Sequence, residues 1–204
     1  MKDNTRQKLI DATYEEVYSH GYQGSALSDI LKKAGVHKGS MYHYFANKKE
    51  MTLCALQEKM SERFFERYGR IIKLENNYLG EFISIIKDTT GRDFKRGCPI
   101  ANIVQEMSNL DEDFNRAMKS IYEDFRGYIK QILDKAVENK EMKECDTKKL
   151  ALYITSTLEG AILSAKASGN EQDYVDIVDM LILHINSFTC NNDLNNKAIN
   201  NKSN

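Results

Sequence analysis

A single proline, Pro99, interrupts 204 residues. Proline removes a backbone donor and breaks the hydrogen-bond ladder inside a helix. A chain almost free of it can run in long helices, and it lacks the punctuation that a loop-rich β architecture needs. No stretch alternates apolar and polar residues at the strand period, and no internal repeat stands out. Apolar positions recur every three or four residues instead, which is the helical period. The fold class is read as all-α.

Ile10, Thr13, Tyr14 and Val17 place a first helix over 5–20, ended by Gly21, with Tyr22 folding back onto the core. Ser25 suits the N-cap of a second helix over 26–34, apolar at Leu27, Ile30 and Leu31 and closed by Gly35. Only Val36 and His37 separate that glycine from a third helical stretch, 38–45. Asn47 caps a longer helix, apolar at Met51, Leu53, Leu56, Met60, Phe64 and Tyr68 and running to Leu74. Further helices are predicted over 78–89, 99–109, 111–139, 147–168 and 171–189, with Asp111 and Asp146 as caps. Pro99 falls in a first turn, where its missing N–H does no harm. The tail 191–204, rich in Asn and Lys, is expected to be disordered. The domain reading is a small N-terminal unit over 1–46, a larger helical unit over 47–190 and the tail.

The formal net charge of −1 does not point to a polyanionic partner, but its distribution is uneven. Residues 1–60 hold nine Lys or Arg against seven Asp or Glu, and between Ile30 and Glu50 there are five lysines, two histidines and no acid. Such a run is either a solvated face or part of a nucleic-acid surface. No apolar stretch is long enough to span a bilayer, and the MKDNTRQ start has no apolar leader core, so a cytoplasmic protein is expected. Cys54, Cys98, Cys145 and Cys190 show no paired spacing and are read as free thiols.

Two short helices joined by a tight glycine turn form the helix-turn-helix pattern. The segment Ser25–Lys48 reads SALSDILKKAGVHKGSMYHYFANK. Lys38 opens the third helix as a cation for a phosphate, and Gly39 lets that helix approach a groove closely. Ser40 can bond phosphate or a base edge, while Tyr42, His43 and Tyr44 offer further donors. Lys48, beside the free N–H groups of the next helix, completes an anion site. This pattern, with AGVHKGSMYHYFANKKEM at its centre, resembles the signature of TetR-family repressors over residues 6–56. The resemblance implies three N-terminal DNA-binding helices, an all-α ligand-binding domain and a homodimer on a double-stranded operator. The candidate DNA contacts are Ser25, His37, Lys38, Gly39, Ser40, Tyr42, His43, Tyr44 and Lys48. The chain departs from the family at His37, where Ser or Thr is usual. That imidazole either starts the helix weakly or reaches DNA itself. Ala46 replaces a frequent proline and Val17 a larger Phe.

The remainder reads as a sensing bundle. Aromatic residues on several helices, Phe125 among them, either fill its core or line an apolar pocket. RGCPIANIVQEMS at 96–108 and LEGAILSAKAS at 158–168 resemble the TetR subgroup that includes the N-ethylmaleimide reductase repressor. That subgroup responds to reactive electrophiles, and the resemblance puts a sensor cysteine at Cys98 and a nearby lysine at Lys166. A helix N-terminus and an ammonium would both favour the thiolate. The alternative is a buried Cys98 that only packs. Asn102, Gln105 and Glu159 are further candidates for orienting an effector. Leu158, Ile162, Leu163 and Ala167, with Ile177, Met180, Leu181 and His184, are read as a symmetric dimer interface. No metalloprotease, di-metal, phosphate-loop or nucleophile-elbow motif is present, so neither enzyme, metal nor cofactor is expected. A DNA-binding dimer with no effector is the other reading.

Overall fold

The computed structural model describes residues 4–190, and the expectation for the 191–204 tail lies outside the described residues. The helices are α1 (Asn4–Gly24), α2 (Leu27–Ala34), α3 (Lys38–Met41), α4 (Lys48–Phe64), α5 (Tyr78–Lys87), α6 (Pro99–Met107), α7 (Glu112–Glu138), α8 (Thr147–Ser168) and α9 (Gln172–Asn186). The all-α reading holds. Met142 and Thr189 form an isolated antiparallel bridge. Among the described residues no helix is long and apolar enough to cross a membrane.

The chain packs as two compact units. Of the described residues, 4–63 with 96–123 form the first, and 64–95 with 124–190 the second.

In the first unit, Leu9, Ile10 and Ala12 of α1, Ile30, Leu31 and Ala34 of α2, Met41, Phe45, and Met51 and Ala55 of α4 share one buried cluster. α1 breaks at Gly21, as its sequence requires, since that residue has φ 76°. Gly35, at φ 64°, ends α2 in the left-handed conformation that glycine adopts without strain. The Val36 N–H then bonds the Leu31 carbonyl at 3.0 Å, the Schellman arrangement. Asn47 caps α4 by accepting the Glu50 N–H at 2.9 Å, and Glu50 reaches back to the Ala46 N–H at 2.7 Å. Asp111 accepts the N–H groups of Asp113 and Phe114 at the start of α7.

Three expectations are corrected. Ala26, not Ser25, stands at the N-cap of α2, and no side chain caps it. α3 covers only 38–41, with single turns carrying the chain on to Phe45. An uncapped start and Gly39, a poor helix former, account for the shortness. The long fourth helix does not run unbroken to Leu74. It widens into a π-helical turn at Phe65–Gly69 and tightens into a 3₁₀ turn at Ile71–Lys73. The Phe65 ring lies 2.9 Å from where a Cβ on Gly69 would stand, so a larger residue there would have to push that exposed ring aside.

The second unit packs α8 on α9 and α5 on α9. Phe64, Tyr68, Phe82 and Phe125 form an aromatic cluster in its core, with Phe64 and Phe125 stacked at 4.9 Å between centroids. Tyr174 is fully buried and donates its hydroxyl to the Ile86 carbonyl at 2.7 Å. Burial pushes its phenol up to about 12. Asp146 caps α8 by accepting the Lys149 N–H at 3.0 Å.

Candidate nucleic-acid interface

The apolar side of the recognition segment is turned inward and its donors outward. Met41 and Phe45 are buried in the cluster of the first unit. Around them His37, Lys38, Gly39, Tyr42 and His43 are exposed, and Ser40 is half-buried. This follows from the short helix, because 41 and 45 lie one turn apart and anchor it. Tyr42, at 53% exposure, is a large ring standing in solvent. A Cβ on Gly39 would meet nothing within 4 Å, so the protein itself does not require glycine there. Tyr44 is half-buried and packs against the apolar cluster, which leaves it a smaller exposed edge than its neighbours. His37 occupies the N-cap of α3 without a side-chain capping bond, as an imidazole at that position suggests.

Two candidate contacts are corrected. Ser25 is buried at 1% exposure and donates its hydroxyl to the Gly21 carbonyl at 2.6 Å, so its side chain cannot meet a phosphate. The Lys48 ammonium donates to the carbonyls of Tyr22 and Ser25, both at 2.7 Å, and stands 4.2 Å from the Tyr22 ring centroid. Two of its three donors are spent on the α1–α2 turn rather than on an outer anion site. Burial lowers the pKa of that ammonium, and the charge of Glu106 partly offsets the shift.

Sequence reasoning missed the partners that α6 and its flanks supply. The Glu106 carboxylate accepts the N–H groups of Tyr22 at 2.9 Å and Gln23 at 2.8 Å. Tyr18 donates to the Gly97 carbonyl at 2.6 Å, and Arg96 pairs with Glu15 at 2.9 Å while its guanidinium lies 4.0 Å from the Tyr18 ring centroid. Lys49 bonds Asp111 at 2.7 Å and Asp113 at 2.5 Å, which raises its pKa and lowers theirs. Tyr22 does fold back, its ring 4.6 Å from that of Phe114.

Comparison with known proteins agrees with this geometry. The profile described as "Bacterial regulatory proteins, tetR family" matches residues 9–53, and "Tetracyclin repressor-like, C-terminal domain" matches 77–181, about half of the chain. The chain belongs to the TetR family. It is 32% identical over 169 residues to the transcriptional regulator AcuR of Cereibacter sphaeroides, covering 78% of this chain and 75% of that one. It is 29% identical over 149 residues to the HTH-type transcriptional repressor NemR of Escherichia coli, covering 71% and 72%. Among solved structures, a TetR regulatory protein from Rhodobacter sphaeroides matches with TM-score 0.77 and 29% identity over 89% of this chain and 99% of that one. The reduced form of E. coli NemR matches in fold, with TM-score 0.79 and 23% identity over 92% and 98%. This TetR-family chain is thus a DNA-binding transcriptional regulator, and its relatives are regulators rather than enzymes.

The residues proposed to sense an effector divide between the units of this TetR-family regulator. Cys98, Asn102 and Gln105 lie in the first. Cys98 is buried at the N-cap of α6, Asn102 donates to the Arg96 carbonyl at 2.8 Å, and Gln105 is exposed. Phe125, Glu159 and Lys166 lie in the second, where Phe125 belongs to the packed aromatic cluster, Glu159 is half-buried and Lys166 exposed.

The expected dimer face is only partly outward. Leu158 and Leu181 are buried at 4% and 1% inside the unit, in which α8 packs on α9. Ile162 and Ile177 are half-buried, and Leu163, Ala167, Met180 and His184 are exposed. Leu152, Tyr153 and Leu183 are exposed on the same two helices and were missed from the sequence. Tyr153, Ile177, Met180, Leu183 and His184 line a groove of about 660 Å³.

Proposed function

We propose that the chain is a homodimeric repressor. In this reading its two α3 segments enter successive major grooves of a pseudo-palindromic operator, roughly 34–36 Å apart. The observation that carries it is the outward set His37, Lys38, Gly39, Ser40, Tyr42 and His43 over the buried anchors Met41 and Phe45. Lys38 supplies a phosphate contact, and Ser40, Tyr42 and His43 donate to phosphate or base edges. The dimer forms through the apolar surface of α8 and α9. Leu163, Met180 and Leu183, each more than half exposed in one chain, need a second surface to leave water.

The repressor is released by a small molecule or by an oxidant or electrophile acting at Cys98. Three features support this second part. Cys98 starts α6, the adjoining Gly97 carbonyl is bonded to Tyr18 of α1, and a structural relative was solved in a form named reduced. A group added to Cys98, a residue only 8% exposed, must displace its neighbours, and the bond from Tyr18 of α1 lies one residue away. A coupling of about 1–3 kcal/mol would weaken operator binding roughly 5- to 150-fold.

The test starts from an operator selected out of random DNA by the purified protein. Binding is then followed at fixed salt with hypochlorite or N-ethylmaleimide, for wild type and Cys98→Ser. Release of wild type alone is expected. If both stay bound, Cys98 packs only and the effector is non-covalent. If no palindromic site is recovered, the operator reading fails.

A further inference from the structure

The α1–α2 turn has one side-chain bond of its own, from the Ser25 hydroxyl to the Gly21 carbonyl, and that bond leaves the amides of Tyr22 and Gln23 to other partners. Gly21 turns the chain out of α1 at φ 76°, ψ 171°, and α2 begins without a side-chain capping bond. The exposed amides of such a turn need partners from elsewhere. One partner is Glu106 of α6, whose two carboxylate oxygens take the N–H groups of Tyr22 and Gln23 at 2.9 and 2.8 Å. The other is Lys48 of α4, whose ammonium donates to the carbonyls of Tyr22 and Ser25, each at 2.7 Å. An anion therefore holds two donors of the turn and a cation holds two of its acceptors. A Cβ at Gly21 would stand 2.7 Å from a Glu106 oxygen, so glycine is needed for the carboxylate to come this close.

We propose that Glu106 and Lys48 are a pair of positioning residues for DNA recognition. They clamp the backbone of residues 21–25 from opposite sides, and so fix the direction in which α2 and α3 present their donors. The proposal rests on the DNA-binding reading and adds to it two residues that need not touch DNA. Charge-assisted bonds are the stronger kind, and bonds to the backbone leave the identity of Gln23 free. Because Glu106 belongs to α6, the clamp also ties the recognition unit to the helix that Cys98 starts.

The full-length protein and its selected operator provide the test. Operator affinity is measured over a range of salt concentrations for wild type, Glu106→Ala, Glu106→Gln, Lys48→Met and the double variant, and amide hydrogen exchange is followed at Tyr22 and Gln23. Glu106→Ala should weaken binding about tenfold or more, the scale of lost hydrogen bonds to a charged group. It should leave the slope of log affinity against log salt unchanged and speed exchange at both amides. Glu106→Gln, which keeps an acceptor, should recover part of the loss. Lys48→Met should also preserve the slope, and the double variant should lose less than the sum of the two.

Two results would overturn the proposal. One is a Glu106→Ala protein that binds within about twofold of wild type with both amides still protected. The other is a slope that falls by about one in Lys48→Met, because its ammonium then meets a phosphate. A lower melting temperature with unchanged affinity and exchange counts as the first result. If wild type binds no DNA, the DNA-binding reading itself has failed, and exchange at Tyr22 and Gln23 still decides whether the clamp exists.

Discussion

The surface around α3 and the outer face of α8 and α9 are built on opposite plans. Around α3, two apolar anchors are buried and the outside is lysine, histidine, serine and tyrosine with one glycine among them. On α8 and α9, the apolar residues Leu152, Tyr153, Leu163, Met180 and Leu183 are the exposed ones. A surface of donors suits a polyanion, which is gripped by hydrogen bonds and charge. A hydrocarbon surface suits a matching protein surface, where water is expelled. Which atoms are left outside therefore separates the two partners before either is seen.

Charging the apolar face should break this contrast most severely. Met180→Glu with Leu183→Glu places two carboxylates on each copy of the proposed symmetric contact, where like charges would meet. Sedimentation should show a monomer that keeps its helical circular dichroism. Operator affinity should fall by about 10²- to 10⁴-fold, because two linked half-sites become independent. A double variant that stays dimeric would place the interface on another surface.

Gly39→Ala sharpens the other half of the contrast. Nothing in the protein lies within 4 Å of the added Cβ, and alanine favours helix, so thermal stability should hold or rise slightly. Only an approaching groove would feel the methyl group. Overpacking costs about 1–3 kcal/mol, so operator binding should weaken roughly tenfold. Equal affinity for both proteins in a fluorescence titration would mean that α3 stays clear of the groove floor at residue 39.

The same contrast explains what was legible in the sequence. Helix positions, the glycine stops at Gly21 and Gly35, and the caps Asn47, Asp111 and Asp146 depend on neighbours a few residues away, and the local pattern shows them. The donor face of α3 was readable for the same reason, since its polar and apolar positions differ sharply. α8 carries aliphatic residues around much of its circumference, so periodicity could not decide which leucines are buried and which stay outside. Leu158 went to the first set and Leu152 to the second. Ser25 and Lys48 were misread because their partners are backbone carbonyls, which leave no trace in side-chain patterning. Glu106 was missed because the amides it binds are more than eighty residues away in the chain.

Glu141 of the second unit holds backbone amides as Glu106 does in the first. Asn77 precedes α5 in the left-handed conformation and gives no side-chain cap. Glu141 accepts the N–H groups of Tyr78 at 3.1 Å and Leu79 at 3.0 Å in its place, and takes a further bond from Asn139. These bonds favour the ionised form and hold the Glu141 carboxyl below its ordinary value, against the opposing effect of burial. A depressed carboxylate contributes stability that is fully present above its unfolded pKa and is lost as pH falls through the folded one. Glu141→Gln should therefore cost about 1 kcal/mol near neutrality, the scale of a lost helix cap. The gap to wild type should close in acid, once Glu141 is protonated in both folded and unfolded chains. Urea titrations of the two proteins at neutral and acidic pH would check this. A gap that is the same at both pH values would mean that Glu141 holds α5 by shape rather than by charge, unlike the arrangement proposed for Glu106.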